Sequence, residues 1–217
     1  MMKRIFDIVF SLSVLLALSP LLILVSLLIK GGDGGAVLYR GERTGRYGHP
    51  FRIFKFRTMV PNAEAIGGAS TADEDPRITR VGRALRRYKL DELPQFINVL
   101  TGDMSVVGPR PEVQYYTDMY TETEKTILTV RPGITDWASI WNSDEGGVLA
   151  GAADPEKAYQ ELIRPTKIRL QLKYVRERSF FTDLKIIFLT VLAVLKPESK
   201  AIQEIRAQDF HQKEETV

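Results

Sequence analysis

The chain has 217 residues, a formal net charge of +3, two histidines and no cysteine. The lack of cysteine excludes a disulfide scaffold, a cysteine nucleophile and thiolate metal sites. His49 and His211 do not lie near other candidate ligands in the sequence, so a histidine metal cluster is also excluded. Any metal must therefore be held by oxygen, which favours Mg²⁺, with Mn²⁺ as the alternative.

Residues 5–29 form an apolar stretch in which Asp7 is the one charged residue. As a straight helix this stretch would reach roughly 37 Å, enough to cross a bilayer core of about 30 Å. Pro20 has no N–H and interrupts the helical hydrogen bonds, and the Ser19 hydroxyl can satisfy a freed carbonyl. The residues alone predict either a re-entrant helix–break–helix or an ordinary kinked membrane span.

Residues 31–76 are predicted to contain a flexible exit, a strand and a loop. Residues 31–35, GGDGG, predict a flexible exit from the membrane. Residues 51–59 alternate between apolar and polar and predict a strand. Lys55 and Arg57 fall on its half-apolar face, where they could grip phosphate or snorkel to a membrane surface. Residues 61–76 predict a loop, either a plain surface loop or a mobile cover over a site.

The centre of the chain is residues 85–95, LRRYKLDELPQ, in which Asp91 and Glu92 are adjacent. A basic helix is predicted over residues 77–90, directly before them. Adjacent carboxylates do not share a helix face, so one can face a reacting centre and the other a metal. For an isolated motif of this kind, a solvated charged stretch is the alternative.

Pro94 interrupts the helical pattern around this acidic pair. Because proline lacks an N–H, we expect the Leu90 carbonyl to lose its usual partner and Leu93 to leave the helical region. The acidic pair is therefore predicted at a kink or a helix junction, with free backbone groups nearby.

The following segments combine rigid turns with aromatic residues. Residues 106–107 predict a short strand, and Arg110 follows between two prolines, which suits a guanidinium that must meet a phosphate or simply a stiff loop. Residues 131–135, RPGIT, predict a type II turn. Trp137 and Trp141 have helical spacing and favour a core or membrane-interface role over stacking on a nucleobase.

The C-terminal third predicts helices. Asp154 is suited to cap a helix that starts at Pro155, and residues 164–178 predict a basic helix. Residues 180–195 are apolar but too short to span, so they predict an amphipathic helix that lies on the membrane or packs on the anchor. The residues after Pro197 predict a loose polar tail.

Six segments resemble, in the same order, motifs of the bacterial sugar transferase family, and the resemblance covers roughly residues 3–196. The segments are the basic start with Ser19-Pro20, FKFRTM at 54–59, LDELPQ at 90–95, GDMS at 102–105, GPRP at 108–111 and RPGIT at 131–135. Members of this family are monotopic polyprenyl-phosphate phosphoglycosyl transferases, which begin the assembly of surface polysaccharides and glycoproteins.

The resemblance implies an α/β fold that is mostly α, with few short strands and interfacial amphipathic helices. We expect a re-entrant anchor over residues 1–30, a cytoplasmic domain over 31–196 and a polar tail over 197–217. The implied place is the cytoplasmic face of the bacterial inner membrane, with both termini cytosolic, in the minimal form that lacks the extra N-terminal domain of some relatives. The implied partners are a UDP-sugar, undecaprenyl phosphate, membrane lipids and downstream glycosyltransferases, but no nucleic acid; a homodimer is compatible.

The resemblance also implies a reaction in which sugar-1-phosphate passes from the UDP-sugar to undecaprenyl phosphate and UMP leaves. Asp91 would be the nucleophile that forms a phosphosugar-aspartyl intermediate, and Glu92 would bind Mg²⁺. The substrate-binding cations would be Lys55, Arg57, Arg86, Arg87, Arg110 and Arg131. Fixed cations make phosphorus more electrophilic, stabilise the leaving group and favour an ionised Asp91.

The chain departs from the family pattern in two places. Residues 136–141, DWASIW, stand where many members continue with Gly-Leu-Ala-Gln, which leaves the nucleobase and sugar preference open. Gln171 stands where many members carry Asp, which argues against a further acidic ligand there.

Two other functions are compatible with this sequence. One is a Mg²⁺-dependent phosphohydrolase of membrane lipid diphosphates that uses the same acidic pair, and the other is a non-catalytic scaffold that binds anionic lipid through its basic helices.

Overall fold

A computed structural model describes residues 2–63, 74–142, 145–149 and 151–211. Within these ranges the helices are α1 (Met2–Ala17), α2 (Ser19–Asp33), α3 (Arg80–Arg87), α4 (Gln95–Thr101), α5 (Gln114–Thr117), α6 (Trp137–Trp141), α7 (Glu145–Val148), α8 (Pro155–Ala158), α9 (Arg164–Glu177), α10 (Phe180–Leu195) and α11 (Lys200–His211). The strands are β1 (Leu38–Tyr39), β2 (Glu42–Thr44), β3 (Pro50–Arg52), β4 (Lys55–Phe56), β5 (Ser105–Val107) and β6 (Gly133–Thr135). The expected mostly helical α/β fold with few short strands is confirmed.

The strands form three two-stranded pairs. Strands β1 and β4 pair antiparallel, as do β2 and β3, whereas β5 and β6 pair parallel. The single strand predicted over residues 51–59 is wrong, because this segment forms two short strands with different partners. Strand β3 pairs with β2 and ends at Arg52, and strand β4 begins at Lys55 and pairs with β1. The Asn98 side chain supports the break, since it donates to the Arg52 carbonyl at 2.9 Å and accepts from the Phe54 N–H at 2.8 Å.

Helices α1 and α2 form the predicted helix–break–helix, bent by 63°. Pro20 has no N–H to give to the Leu16 carbonyl, and the Ser19 hydroxyl donates to that carbonyl instead, at 2.9 Å. No single helix in the described ranges has the length and hydropathy of a membrane span, although the bent pair reaches that standard together.

The exit from α2 differs from its expectation. Gly31 and Gly32 lie inside the helix, which runs to Asp33 and ends at Gly34 in the left-handed region with φ 70°. A glycine at this position is a common helix stop because it carries no Cβ to oppose positive φ. The flexible exit predicted over residues 31–35 is therefore wrong for its first half. The loop predicted over residues 61–76 falls mainly on residues 64–73, outside the described residues.

The first turns of α1 are joined to the rest of the fold by polar contacts. The buried Asp7 carboxylate accepts from the Ser105 hydroxyl at 2.9 Å and from the Val106 N–H at 3.1 Å. The Lys3 ammonium pairs with the buried carboxylate of Asp183 on α10. These contacts fix α1 against strand β5 and helix α10.

One main apolar core fills the space between helix α1, strand β5 and the C-terminal helices. Its buried members include Ile53, Phe96, Val99, Met104, Val106, Val107, Ile140 and Ile186. Trp137 packs against this core and Trp141 against a smaller cluster, so of the two expected roles, core or membrane interface, the structure shows core packing. The predicted strand at 106–107 and the Asp154 helix cap are confirmed as well.

The two C-terminal helices also contact this core. Helix α10 has the predicted bounds, and its Phe180 ring meets the Phe6 ring of α1 edge to face at 5.5 Å. Its outer face leaves Phe181 and Phe188 largely exposed. The loose tail predicted after Pro197 is wrong for residues 200–211, because α11 forms there and its Ile202 is fully buried in the core. Residues 212–217 lie outside the described residues.

Candidate active site

The acidic pair lies at a junction between two helices. Helix α3 ends at Arg87, Lys89 adopts the left-handed region with φ 55°, and residues Leu90–Glu92 form one 3₁₀ turn before α4 begins at Gln95. The predicted helix junction is therefore confirmed. A 3₁₀ turn has three residues per turn, so it projects the two adjacent carboxylates in different directions.

The backbone of this junction is better satisfied than the sequence suggests. The Leu90 carbonyl accepts a hydrogen bond from the Leu93 N–H at 3.3 Å, and Leu93 lies in the helical region with φ −56° and ψ −37°. The Leu90 carbonyl loses its usual partner as expected, but it does not stay free, and the expectation of a non-helical Leu93 is wrong. The tighter i to i+3 bond replaces the bond that Pro94 cannot make.

Glu92 is held by two cations from distant parts of the chain. Both terminal nitrogens of Arg110 donate to its two carboxylate oxygens, and the Lys55 ammonium donates to Oε1 at 3.0 Å. The Glu92 side chain is 14% exposed. Burial alone would raise the pKa of Glu92, but Arg110 and Lys55 outweigh it and hold that pKa well below its usual range.

Asp91 has the opposite electrostatic balance. It is 8% exposed, and burial together with the neighbouring charge of Glu92 raises its pKa above the usual range. Lys55, Arg86 and Arg110 oppose this shift without cancelling it. The sequence-based expectation that cations favour an ionised Asp91 thus describes only one side of the balance. Environments that separate the pKa values of paired carboxylates are typical of sites where the two have different tasks.

Arg86 reaches the acidic pair because α3 packs very closely on the segment after β4. A Cβ placed on Gly82 would lie 1.9 Å from the Thr58 carbonyl oxygen, so glycine is required for this approach. Arg86 donates from Nε to the Thr58 hydroxyl at 3.0 Å. Its charge lowers the pKa of Asp91, against the larger effect of burial.

The structure gives the other three predicted cations different partners. Arg57 forms an ion pair with Asp33 at the end of α2, with Nη1 2.8 Å from Oδ2. Arg131 donates from Nε to the Gly102 carbonyl at 2.9 Å. Arg87 is exposed beside the Tyr88 ring, 5.8 Å from its centroid. Lys55, Arg86 and Arg110 are therefore brought to the acidic pair, and substrate contact by the other three stays a prediction.

Two residues near Arg110 were not among the predicted site residues. Asp136 accepts from the backbone N–H of Arg110 at 3.2 Å, and Gln171 donates to its carbonyl at 3.2 Å. Both side chains are fully buried. The sequence signals them only as departures from the family pattern, because their contacts join segments that are far apart in the chain.

The residues present would fit a magnesium ion only where phosphate oxygens complete its coordination. No group of three or more acidic or histidine side chains in the described ranges could hold a metal by itself. Mg²⁺ is often bound through one or two carboxylates plus substrate phosphates, and Glu92 could supply one such carboxylate. Glu92 would then exchange part of its contact with Arg110 and Lys55 for the ion.

The model of the family described as "Bacterial sugar transferase" matches residues 1–197. The chain belongs to the bacterial sugar transferase family. The chain is 39% identical over 198 residues to the UDP-glucose:undecaprenyl-phosphate glucose-1-phosphate transferase of Escherichia coli strain K12, a match that covers 88% of the chain and 39% of that protein.

Two exopolysaccharide proteins match over most of their own length. The chain is 35% identical over 207 residues to the exopolysaccharide production protein ExoY of Sinorhizobium fredii, and the match covers 88% of the chain and 84% of that protein. It is 40% identical over 203 residues to the exopolysaccharide production protein PSS of Rhizobium leguminosarum bv. phaseoli, and the match covers 89% of the chain and 95% of that protein. The chain thus spans about two fifths of the Escherichia coli relative and most of the two others.

Proposed function

We propose that this sugar transferase moves the sugar-1-phosphate of a UDP-sugar to undecaprenyl phosphate and releases UMP. The observation that carries the proposal is the buried Asp91 beside Glu92, with Lys55, Arg86 and Arg110 around them. The names of two relatives support it, since they describe transfer of glucose-1-phosphate and of N-acetylgalactosamine phosphate to undecaprenyl phosphate.

The reaction proceeds in two displacements at the same phosphorus. First, an Asp91 carboxylate oxygen attacks the sugar-bearing phosphorus, and the bond from this phosphorus to the bridging oxygen breaks as UMP leaves. An oxygen of undecaprenyl phosphate then attacks the phosphosugar-aspartyl intermediate, which releases Asp91 and forms the lipid diphosphate sugar. A raised pKa makes Asp91 a stronger nucleophile than Glu92 once it is ionised.

The surrounding residues supply the charge stabilisation that the phosphorus needs. Lys55 and Arg110 can pass from Glu92 to the donor phosphates, and Arg86 adds a third positive charge beside Asp91. When bound by Glu92 and the donor diphosphate, Mg²⁺ would supply Lewis-acid stabilisation of the leaving phosphate.

We also propose that the bent helix pair dips into the cytoplasmic leaflet of the bacterial inner membrane and returns, with both termini cytosolic. The bend and the apolar surface of α1 and α2 support this, since large exposed side chains include Val9, Leu12, Leu16, Ile23, Leu24 and Leu27. Phe181 and Phe188 of α10 would lie at the interface. The acidic pair would then meet both a lipid phosphate and a cytosolic nucleotide.

The test is UMP release by the purified protein with Mg²⁺, undecaprenyl phosphate and a panel of UDP-sugars. Asp91→Asn should abolish release, whereas the matched exposed variant Asp118→Asn should keep it. Without the lipid acceptor, mass spectrometry should find a phosphosugar on Asp91. Full turnover by Asp91→Asn would overturn the assignment of the nucleophile.

Two further measurements separate the two other functions. Release of inorganic phosphate from a lipid diphosphate, with no acceptor and no UMP, would favour the phosphohydrolase. Cells that keep their polysaccharide when Asp91 and Glu92 are both replaced would favour the scaffold.

A further inference from the structure

The backbone of Arg110 is held from both sides by buried side chains. Its N–H donates to Oδ2 of Asp136, and its carbonyl accepts from Nε2 of Gln171, each at 3.2 Å. Pro109 and Pro111 flank it and restrict φ on either side. The position of this one residue is therefore fixed by its neighbours in the chain and by two other elements.

Asp136 divides its two carboxylate oxygens between two tasks. Oδ1 caps helix α6, because it accepts from both the N–H and the hydroxyl of Ser139 at 2.7 Å. Oδ2 accepts from Arg110. An asparagine at this position could keep the cap through its one oxygen while turning its amide N–H toward the N–H of Arg110. The two tasks can thus be separated experimentally.

Gln171 carries a polar group that stability alone does not explain. Its side chain is fully buried on α9, and its Oε1 has no hydrogen-bond partner among the described residues. A buried amide oxygen without a partner costs free energy of folding. We therefore explain the presence of this amide by its hydrogen bond to the Arg110 carbonyl.

The guanidinium at the other end of Arg110 depends on this backbone position. It forms a two-pronged contact with Glu92, a geometry that is sensitive to small displacements. We propose that Asp136 and Gln171 are positioning residues, which hold Arg110 so that its guanidinium meets Glu92 in the free protein and the donor phosphates during transfer. This inference rests on the proposed function, in which Arg110 binds donor phosphate.

The test compares two variants that change one hydrogen bond each. Asp136→Asn places an amide N–H against the backbone N–H of Arg110, so that two donors face each other. Gln171→Met removes the donor to the Arg110 carbonyl while keeping a flexible side chain of similar size. Each should lower kcat/KM for UMP release by roughly ten- to hundredfold, the scale expected for a displaced substrate-binding group. The exposed variants Asp118→Asn and Gln203→Met are matched controls that should stay near wild type.

A double-mutant cycle separates positioning from a general structural role. In an Arg110→Ala background, Asp136→Asn and Gln171→Met should cause no further loss of kcat/KM, because the group that they position is gone. The melting temperature of Gln171→Met should stay within about 2 °C of wild type. Further loss in the Arg110→Ala background, or wild-type kcat/KM in both single variants, would overturn the inference.

A second readout does not depend on turnover. The NMR signals of the Arg110 guanidinium should show restricted rotation in the wild-type protein and faster averaging in Asp136→Asn and Gln171→Met. If the wild type turns over no UDP-sugar, the proposed function fails, and this readout still decides the positioning role. An unchanged guanidinium in both variants would refute that role.

Discussion

Asp91 and Glu92 are adjacent in the chain, yet their pKa values are shifted in opposite directions. Burial and the neighbouring carboxylate raise the pKa of Asp91, whereas Arg110 and Lys55 overcome burial and lower that of Glu92. One carboxylate is thus stabilised as an anion, and the other is kept more basic beside it. This separation supports the proposed roles of the two carboxylates, in which Glu92 is a fixed anionic ligand and Asp91 is the nucleophile.

The first prediction is that isosteric neutral variants at these two positions change stability with opposite signs. Ionised Asp91 is disfavoured in the folded state, so Asp91→Asn should raise the free energy of unfolding by about 1 kcal/mol at neutral pH. The gain should shrink as pH falls through the raised pKa, because wild-type Asp91 then becomes neutral. Urea unfolding of the wild type and the variant without divalent metal, from pH 3 to pH 7, measures the gain in the free energy of unfolding and its dependence on pH.

Glu92→Gln should do the opposite in the same experiment. It leaves Lys55 and Arg110 without their carboxylate, so it should cost about 1–3 kcal/mol at neutral pH. Because the pKa of Glu92 is lowered in the folded state, its contribution is present above the unfolded pKa and is lost as pH falls through the folded pKa. Two variants that destabilise equally would contradict the assigned balance.

The second prediction concerns the metal. Since the described acidic residues offer no protein-only cage and Glu92 is engaged by cations, Mg²⁺ should bind weakly to the free protein and much more tightly when a UDP-sugar is present. Titration calorimetry with Asp91→Asn, which cannot turn over, measures this dependence directly. Tight Mg²⁺ binding without nucleotide would show a site that these residues do not explain, and Glu92→Gln should abolish the nucleotide-dependent part.

The third prediction is that Pro20 decides the topology of the anchor. Pro20→Ala restores an N–H for the Leu16 carbonyl, so α1 and α2 can join into one helix of about 48 Å, longer than a bilayer core. A fraction of N-termini should then cross the membrane. Because the chain lacks cysteine, a single Met2→Cys change reports this by labelling with an impermeant maleimide in intact spheroplasts.

Ser19→Ala is the matched control for that experiment. It removes the hydroxyl that satisfies Leu16 but leaves the proline in place, so the bend and the labelling should resemble wild type. An N-terminus that is labelled from outside in the wild-type protein would show an ordinary span instead of a re-entrant pair.

The fourth prediction distinguishes two kinds of glycine. A Cβ on Gly133 would lie 2.1 Å from the backbone nitrogen of Gly108, where no side chain can move away, so Gly133→Ala should cost more than about 3 kcal/mol. Gly31 lies inside helix α2 with nothing within 4 Å, so Gly31→Ala should stabilise by up to about 1 kcal/mol. Thermal unfolding in detergent compares the two, and similar effects would contradict the close approach of β5 and β6.

Features with local causes could be predicted from the sequence. The break at Ser19-Pro20, the helix that starts after Asp154 and the full extent of Phe180–Leu195 follow from capping, proline chemistry and apolar length. The acidic pair at a helix junction followed from Pro94 in the same way. The family resemblance then selected Lys55, Arg86 and Arg110, which the fold does bring to that pair.

Features that depend on distant partners could not be predicted. The break between β3 and β4 needs Asn98, which lies more than 40 positions away in the chain. Gly133 was expected in a type II turn, but it begins strand β6 and is required for contact with Gly108. The sequence also gives no sign that Arg57 pairs with Asp33, because this contact forms where the chain after β4 passes the end of α2.

The polar contacts of Asp7 and Lys3 mean that the anchor is not an exchangeable module. A foreign hydrophobic helix joined at Gly34 would still attach the protein to a bilayer, but it would leave Ser105, Val106 and Asp183 without the partners that α1 supplies. We therefore expect a chimaera with a foreign α1 to be stable only if the segments that carry Ser105, Val106 and Asp183 are exchanged together with that helix.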